Sequence, residues 1–272
     1  MNYNEITLEQ LNNSYSLKRG QTIFQPAKEI VQPFMEALQP ITKDWIIKGQ
    51  TPKSETLDVN IDQYGIENVT AKYDSYERLN IEAVLNDNYQ INFNGNDMYD
   101  KVIGFIYALD VQNPIAKVYT GYKRSACLNL TIFGSGNITK RHFNDADYDT
   151  VYKVVPEYVE QISRERDSYE GILHDMCSHK LSEHELNNTL GVLSRKIVST
   201  NYQGLVNNFI NMLKLLQQPG NVKEIENIYY NPSKEYSKFD IYNALTASVS
   251  RKTELLYTPD LILKSHKLFE TV

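Results

Sequence analysis

Val102-Ile103-Gly104-Phe105-Ile106-Tyr107-Ala108-Leu109-Asp110-Val111 is the stretch on which the fold class turns. It is apolar almost throughout, rich in strand formers and without helix caps, as a central strand covered on both faces should be. A short buried helix over 102–109 has the same periodicity and stays open. Upstream the period is two. Leu57-Asp58-Val59-Asn60-Ile61 alternates apolar with polar, and Val69-Thr70-Ala71-Lys72-Tyr73 and Ile81 to Leu85 follow. Asn86-Asp87-Asn88 reads as a turn before Tyr89-Gln90-Ile91-Asn92-Phe93, which predicts a hairpin closed by Asn94-Gly95-Asn96-Asp97. Downstream, Ser125 to Phe133 reads as the next strand. The strands are consecutive instead of alternating with helices, which favours an antiparallel sheet over a Rossmann-type one.

Helical patterns flank this block. Pro26 opens a helix through Ile30, Phe34 and Leu38, with Pro33 predicting a kink or two short helices and Pro40 ending it. After Gly134-Ser135-Gly136 the pattern turns helical. Asp147 and Asp149 suit a helix start, and Val151, Val155, Tyr158, Val159 and Ile162 share a face that Pro156 kinks or restarts. Ser182 and Glu185 form a capping box, with Leu181 and Leu186 as its staple, ahead of a Leu186, Leu190, Leu193, Ile197 stripe. Further helices start near Tyr202, at Ser237 with Asp240, and at Thr258-Pro259. The expected architecture is α+β: an N-terminal helical segment over 1–50, an antiparallel sheet region over 51–142 and a helical region over 143–272, within one compact domain.

With 272 residues, 41% hydrophobic and 23% charged, the composition is that of a globular protein and excludes wholesale disorder. Cys127 and Cys177 are the two cysteines, which argues against a disulfide scaffold and fits a reducing compartment. The start Met1-Asn2-Tyr3-Asn4-Glu5 lacks the order of a secretory signal, and no apolar run approaches the ~18 residues that span a bilayer. The expectation is a soluble protein of the host-cell cytoplasm with no membrane partner.

Catalytic and metal signatures are weak. His174, Cys177, His179 and His184 offer nitrogen and sulfur ligands, but their spacing matches no standard zinc signature, so no metal is expected. There is no G-x-S-x-G, and Gly134-Ser135-Gly136 lacks both the G-K-[ST] of a P-loop and the third glycine of a dinucleotide fingerprint. Asp145, Asp147 and Asp149 lack the glycine and glutamate of a calcium loop. No catalytic residue and no cofactor is assigned.

Charge is the stronger signal. Between Lys101 and His142, Lys101, Lys117, Lys123, Arg124, Lys140 and Arg141 face the single anion Asp110, a net of +5 in a chain of net −6. Such a patch is the electrostatic footprint of a polyanion site. Lys117, Tyr119, Tyr122, Lys123 and Arg124 lie ahead of the expected Ser125–Phe133 strand, Lys140 and Arg141 follow it, and Lys72, Tyr73, Tyr76 and Arg78 form an earlier basic-aromatic group. Cations on phosphates with bases stacked on tyrosines is the usual recipe for single-stranded nucleic acid. The alternative is a solvated sheet edge whose lysines block aggregation. The chain has 20 tyrosines and one tryptophan, a skew that AT-rich coding also produces.

Gly121-Tyr122-Lys123-Arg124-Ser125-Ala126-Cys127-Leu128-Asn129 resembles the R-x-[AV]-C-x-N motif of a phage/plasmid-like family of unknown function. Asp240-Ile241-Tyr242-Asn243-Ala244-Leu245-Thr246 is similar to that family's late Y-N-A-x-T helix, in like order and separation. The likeness spans roughly residues 95 to 260, and Gln112-Asn113-Pro114 stands where the family usually has an N-S-x-D-G-like turn. It implies a mobile-element setting and no reaction. The leading expectation is therefore a non-enzymatic phage or plasmid protein that binds single-stranded DNA in replication or recombination, strand annealing by a self-associated form being a special case. The alternative is a structural or interaction protein, or an inhibitor of a host factor, acting through the acidic helical half.

Overall fold

The computed structural model describes residues 4–14, 17–19, 22–51, 76–93, 97–109, 115–124, 130–131, 138–142, 155–199, 207, 209–210, 236–252 and 258–269. Its strands are β1 (Asn4–Glu5), β2 (Leu17–Arg19), β3 (Thr22–Phe24), β4 (Thr42–Gln50), β5 (Arg78–Leu85), β6 (Ile91–Phe93), β7 (Asp97–Ala108), β8 (Ile115–Arg124), β9 (Leu130–Thr131), β10 (Ile138–His142), β11 (Lys180–Leu181) and β12 (Tyr236–Ser237). Its helices are α1 (Leu8–Asn12), α2 (Ala27–Leu38), α3 (Val155–Ser178), α4 (Glu183–Ser199), α5 (Lys238–Lys252) and α6 (Thr258–Phe269). The class is α+β. The main sheet runs β1-β4-β5-β7-β8-β10, with β6 on β7 and β9 on β8, and every register recorded in it is antiparallel.

The apolar run is strand β7, longer than expected at its start and without helical character. The residues around it pair differently from the sequence reading. β5 does not form a hairpin with β6. Asp87–Tyr89 is a 3-10 turn between them, and β6 instead pairs with β7, Ile91 opposite Tyr99. The first fifty residues are not purely helical, because Thr42–Gln50 is a strand paired with β5. The β-branched Thr42, Ile46 and Ile47 suit it, and Trp45 and Ile47 lie opposite Ala83 and Ile81. Pro33 does not break α2, whose Ile30, Val31, Phe34 and Leu38 are all buried. That apolar stripe holds the helix together despite the backbone bond lost at an exposed proline.

Two further expectations move. Lys117, Tyr119, Tyr122, Lys123 and Arg124 are not in a connection ahead of a strand but themselves form one, β8. Of the expected Ser125–Phe133 strand, Leu130–Thr131 is described, as the short β9. The helical pattern expected after Gly136 begins later, since 138–142 is β10 and α3 starts at Val155, with Pro156 in its first turn. Leu57–Ile61, Val69–Tyr73, Asp147, Asp149 and most of the helix near Tyr202 lie outside the described residues.

The chain divides into two interleaved units, one of residues 1–86, 103–119 and 137–159, the other of 87–102, 120–136 and 160–272. In the first, Phe34 packs on Trp45 and Phe105, at ring-centroid distances of 6.3 and 5.6 Å. The core there is α2 against the sheet, with Leu79, Ile81, Ala83 and Leu85 of β5. In the second, Tyr99 meets Phe239 edge-on at 6.3 Å, and Leu173, Leu193, Ile197, Ile241, Leu245, Leu261 and Ile262 fill a helical core. Both expected caps form. Ser182 and Glu185 exchange side-chain to backbone hydrogen bonds of 2.8 and 3.3 Å, and Ser237 with Asp240 does the same at 2.8 and 3.2 Å.

Candidate functional site

On β5 the apolar Leu79, Ile81, Ala83 and Leu85 alternate with Arg78, Asn80, Glu82 and Val84, and all eight are buried. A strand covered on both faces that still carries an Arg, an Asn and a Glu must satisfy them internally. Part of the solution comes from two strands away. Tyr119 of β8 donates its hydroxyl proton to Glu82 Oε1 at 2.5 Å, and the same hydroxyl lies 3.2 Å from Asn80 Oδ1. Its ring reaches β5 by crossing β7 at Gly104, where a Cβ would overlap Tyr119 Cε1, Cζ and Oη. A glycine within a strand marks such a close approach. Burial pushes the Tyr119 phenol well above its ordinary range, helped by the neighbouring Glu82 charge and its hydrogen bond.

The same unit gathers further polar groups. Gln50 sits opposite Arg78 and Lys48 opposite Asn80 in the β4–β5 register. Gln50 Nε2 donates to Glu77 Oε1 at 3.2 Å, and Tyr107 donates its hydroxyl to the Tyr76 carbonyl at 3.0 Å. Lys117 of β8 is 3% exposed, and in the β8–β10 register it lies directly opposite Lys140, with Arg141 opposite Ala116. Among the described residues, β10 is the last strand in the order of the sheet.

In the second unit, the Lys101 ammonium sits 4.3 Å from the Tyr122 ring centroid and 4.9 Å from that of Tyr169. The two rings are 4.7 Å apart at 55°. A desolvated cation–π contact contributes about 2 kcal/mol, so this trio fastens α3 to strands β7 and β8. Lys123, on the same strand as Tyr122, is also buried.

These positions correct the expected division of labour. Tyr76, Tyr119 and Tyr122 are 5%, 1% and 1% exposed, so none offers a ring face to a base. Arg78, Lys117 and Lys123 are buried too, and their positive charge lies under the surface instead of on it. Arg124, Lys140 and Arg141 are placed by backbone alone, on β8 and β10, and Lys72 and Tyr73 lie outside the described residues. Sequence reading missed Asn80, Glu82, Gly104 and Tyr169 as site-forming residues, and counted Lys101 as part of the basic stretch without its aromatic partners. The lone Gly104 in an apolar run was the one legible signal.

The later of the two motifs singled out in the sequence lies in the second unit. β9 directly follows the Arg124–Asn129 motif, and α5, which carries Tyr242-Asn243-Ala244-Leu245-Thr246, packs on it with α6. Tyr242, Asn243 and Thr246 are buried, and Tyr242 meets the His266 ring edge-on at 6.0 Å. These residues organise a core. His174, His179 and His184 are exposed and Cys177 is half-buried, and among the described residues no three His, Cys, Asp or Glu side chains come together as a metal site. No described helix is long and apolar enough to cross a membrane. No family model matches the chain, and no curated protein or solved structure matches it either.

Proposed function

We propose that this chain binds single-stranded DNA without catalysis, serving replication or recombination of a phage or plasmid, with strand annealing as a special case. The observation that carries the reading is the outer pair of strands. Lys140 faces Lys117 across β8–β10, and Arg141 follows it on the strand that ends the sheet order. Cations gathered along one strand pair form the electrostatic footprint of an extended polyanion site. A phosphodiester chain is such a polyanion.

The test is the Lys140→Gln, Arg141→Gln double variant, with retention of fold checked by circular dichroism. Each phosphate contact contributes ~0.7 to the slope of log affinity against log salt for single strands, so two lost contacts should flatten the slope by ~1.4. An unchanged slope removes β10 from the site. Absence of any salt-sensitive binding by the wild-type chain sinks the reading. The interaction protein then takes its place, with the exposed Glu160, Asp175 and Glu183 of α3 and α4 as its acidic residues.

A further inference from the structure

Resting on that nucleic-acid reading, we infer that the β2–β3 ribbon is a second contact for the phosphodiester backbone, separate from β10. Between Glu9 and Glu29 the chain carries Lys18, Arg19 and Lys28 and no acid, a local charge of +3 in a chain of net −6. This segment lies apart from the larger basic stretch over 101–142. The strand register brings two of its three cations to one place. Arg19 is opposite Thr22, Lys18 opposite Ile23 and Leu17 opposite Phe24, so Lys18 and Arg19 end β2 beside the hairpin's turn. Among the described residues, β2 and β3 form a two-stranded sheet of their own, not joined to the large sheet.

The foot of the ribbon is fixed. The Lys28 backbone N–H donates to Ser14 Oγ at 3.0 Å, joining the two ends of the 14–28 segment, and Ser14 is buried. Lys28 itself is exposed, in the first turn of α2. That helix is seated in the core by Ala27, Ile30, Val31 and Phe34. The cations at the turn are therefore carried on a ribbon whose base is hydrogen-bonded to a fixed helix. A two-stranded hairpin by itself is only marginally stable in water. A ligand that binds the formed ribbon and not the open chain stabilises it, and a polyanion is the ligand its charge selects. Lys and Arg hold phosphate oxygens and fix position without reading sequence, as a protein that takes any single strand requires.

The test is the Lys18→Gln, Arg19→Gln double variant, compared with wild type on labelled oligo-dT across a salt series. Two lost phosphate contacts should flatten the slope of log affinity against log salt by ~1.4. Combined with Lys140→Gln and Arg141→Gln, the two losses should add to ~2.8, because separate contacts contribute independently. An unchanged slope in the ribbon variant, beside salt-sensitive binding by the wild type, overturns the ribbon contact and leaves the nucleic-acid reading standing. Absence of salt-sensitive binding by the wild type overturns both. A second measurement uses the unaltered chain: acetylation of its lysines by acetic anhydride, with and without saturating oligo-dT. Lys18 should lose reactivity in the complex, and equal rates in both samples overturn the ribbon contact even if the variant fails to fold.

Discussion

Gly104→Ala tests the central feature of the polar sheet face. The added methyl would occupy the space of the Tyr119 ring, overlapping Cε1, Cζ and Oη, and the ring cannot yield without leaving Glu82 and Asn80. Overpacking a core costs about 1–3 kcal/mol. Losing a hydrogen bond to a charged, buried carboxylate adds about 1.5–3 kcal/mol. Alanine returns about 0.5–1 kcal/mol through its lower chain entropy. The net expectation is a loss of about 2–5 kcal/mol, a large share of a typical domain's stability. Urea denaturation followed by circular dichroism reads it directly. The control is a double-mutant cycle with Tyr119→Val, which clears the ring from above Gly104. In that background Gly104→Ala should cost nothing or stabilise, giving a coupling energy of about 2 kcal/mol or more. If Gly104→Ala is equally costly in both backgrounds, or harmless in the wild type, Tyr119 does not cross β7 at this glycine and the account of the polar face fails.

Other expectations concern the helices. Hydrogen bonds from Ser182, first its backbone N–H and then its hydroxyl, hold the Glu185 carboxyl down at about 2, with His179 at 3.3 Å assisting. A carboxyl depressed by folding contributes stability that is present above its ordinary value of 4.5 and lost as pH falls toward 2. Glu185→Gln should therefore abolish a component of acid sensitivity in that window, read from melting temperature against pH; an unchanged profile would mean the box does not form. Ser182→Ala should cost about 0.5–2 kcal/mol at neutral pH, and an unmoved urea midpoint would say the same. Gly171 of α3 and Gly191 of α4 are exposed, and a Cβ at either meets nothing within 4 Å. Alanine at each should raise stability by about 0.5–1 kcal/mol, and a loss would reveal a contact at that face.

Local rules made much of this protein readable from sequence. The run around Val102–Leu109 read first as a covered strand, because β-branched and aromatic residues without caps favour one, and the structure decides against the short buried helix that shares its periodicity. The Ser182–Glu185 and Ser237–Asp240 boxes set their helix starts because capping acts within four residues. The basic character of 101–142 is likewise a property of composition alone. What composition could not fix was which side of the surface those charges would occupy. Alternation along β5 and β8 looks half-exposed by period two, yet Arg78, Lys117, Tyr119 and Lys123 are all covered. Strand pairing had the same ambiguity: β5 joins β4 across a long intervening segment instead of its sequence neighbour β6. Whether a polar side chain is buried depends on a partner brought from a distant strand, as Tyr119 is brought to Glu82 over Gly104. Only the tertiary structure decides that, because desolvation is offset by contacts whose sequence separation leaves no local trace.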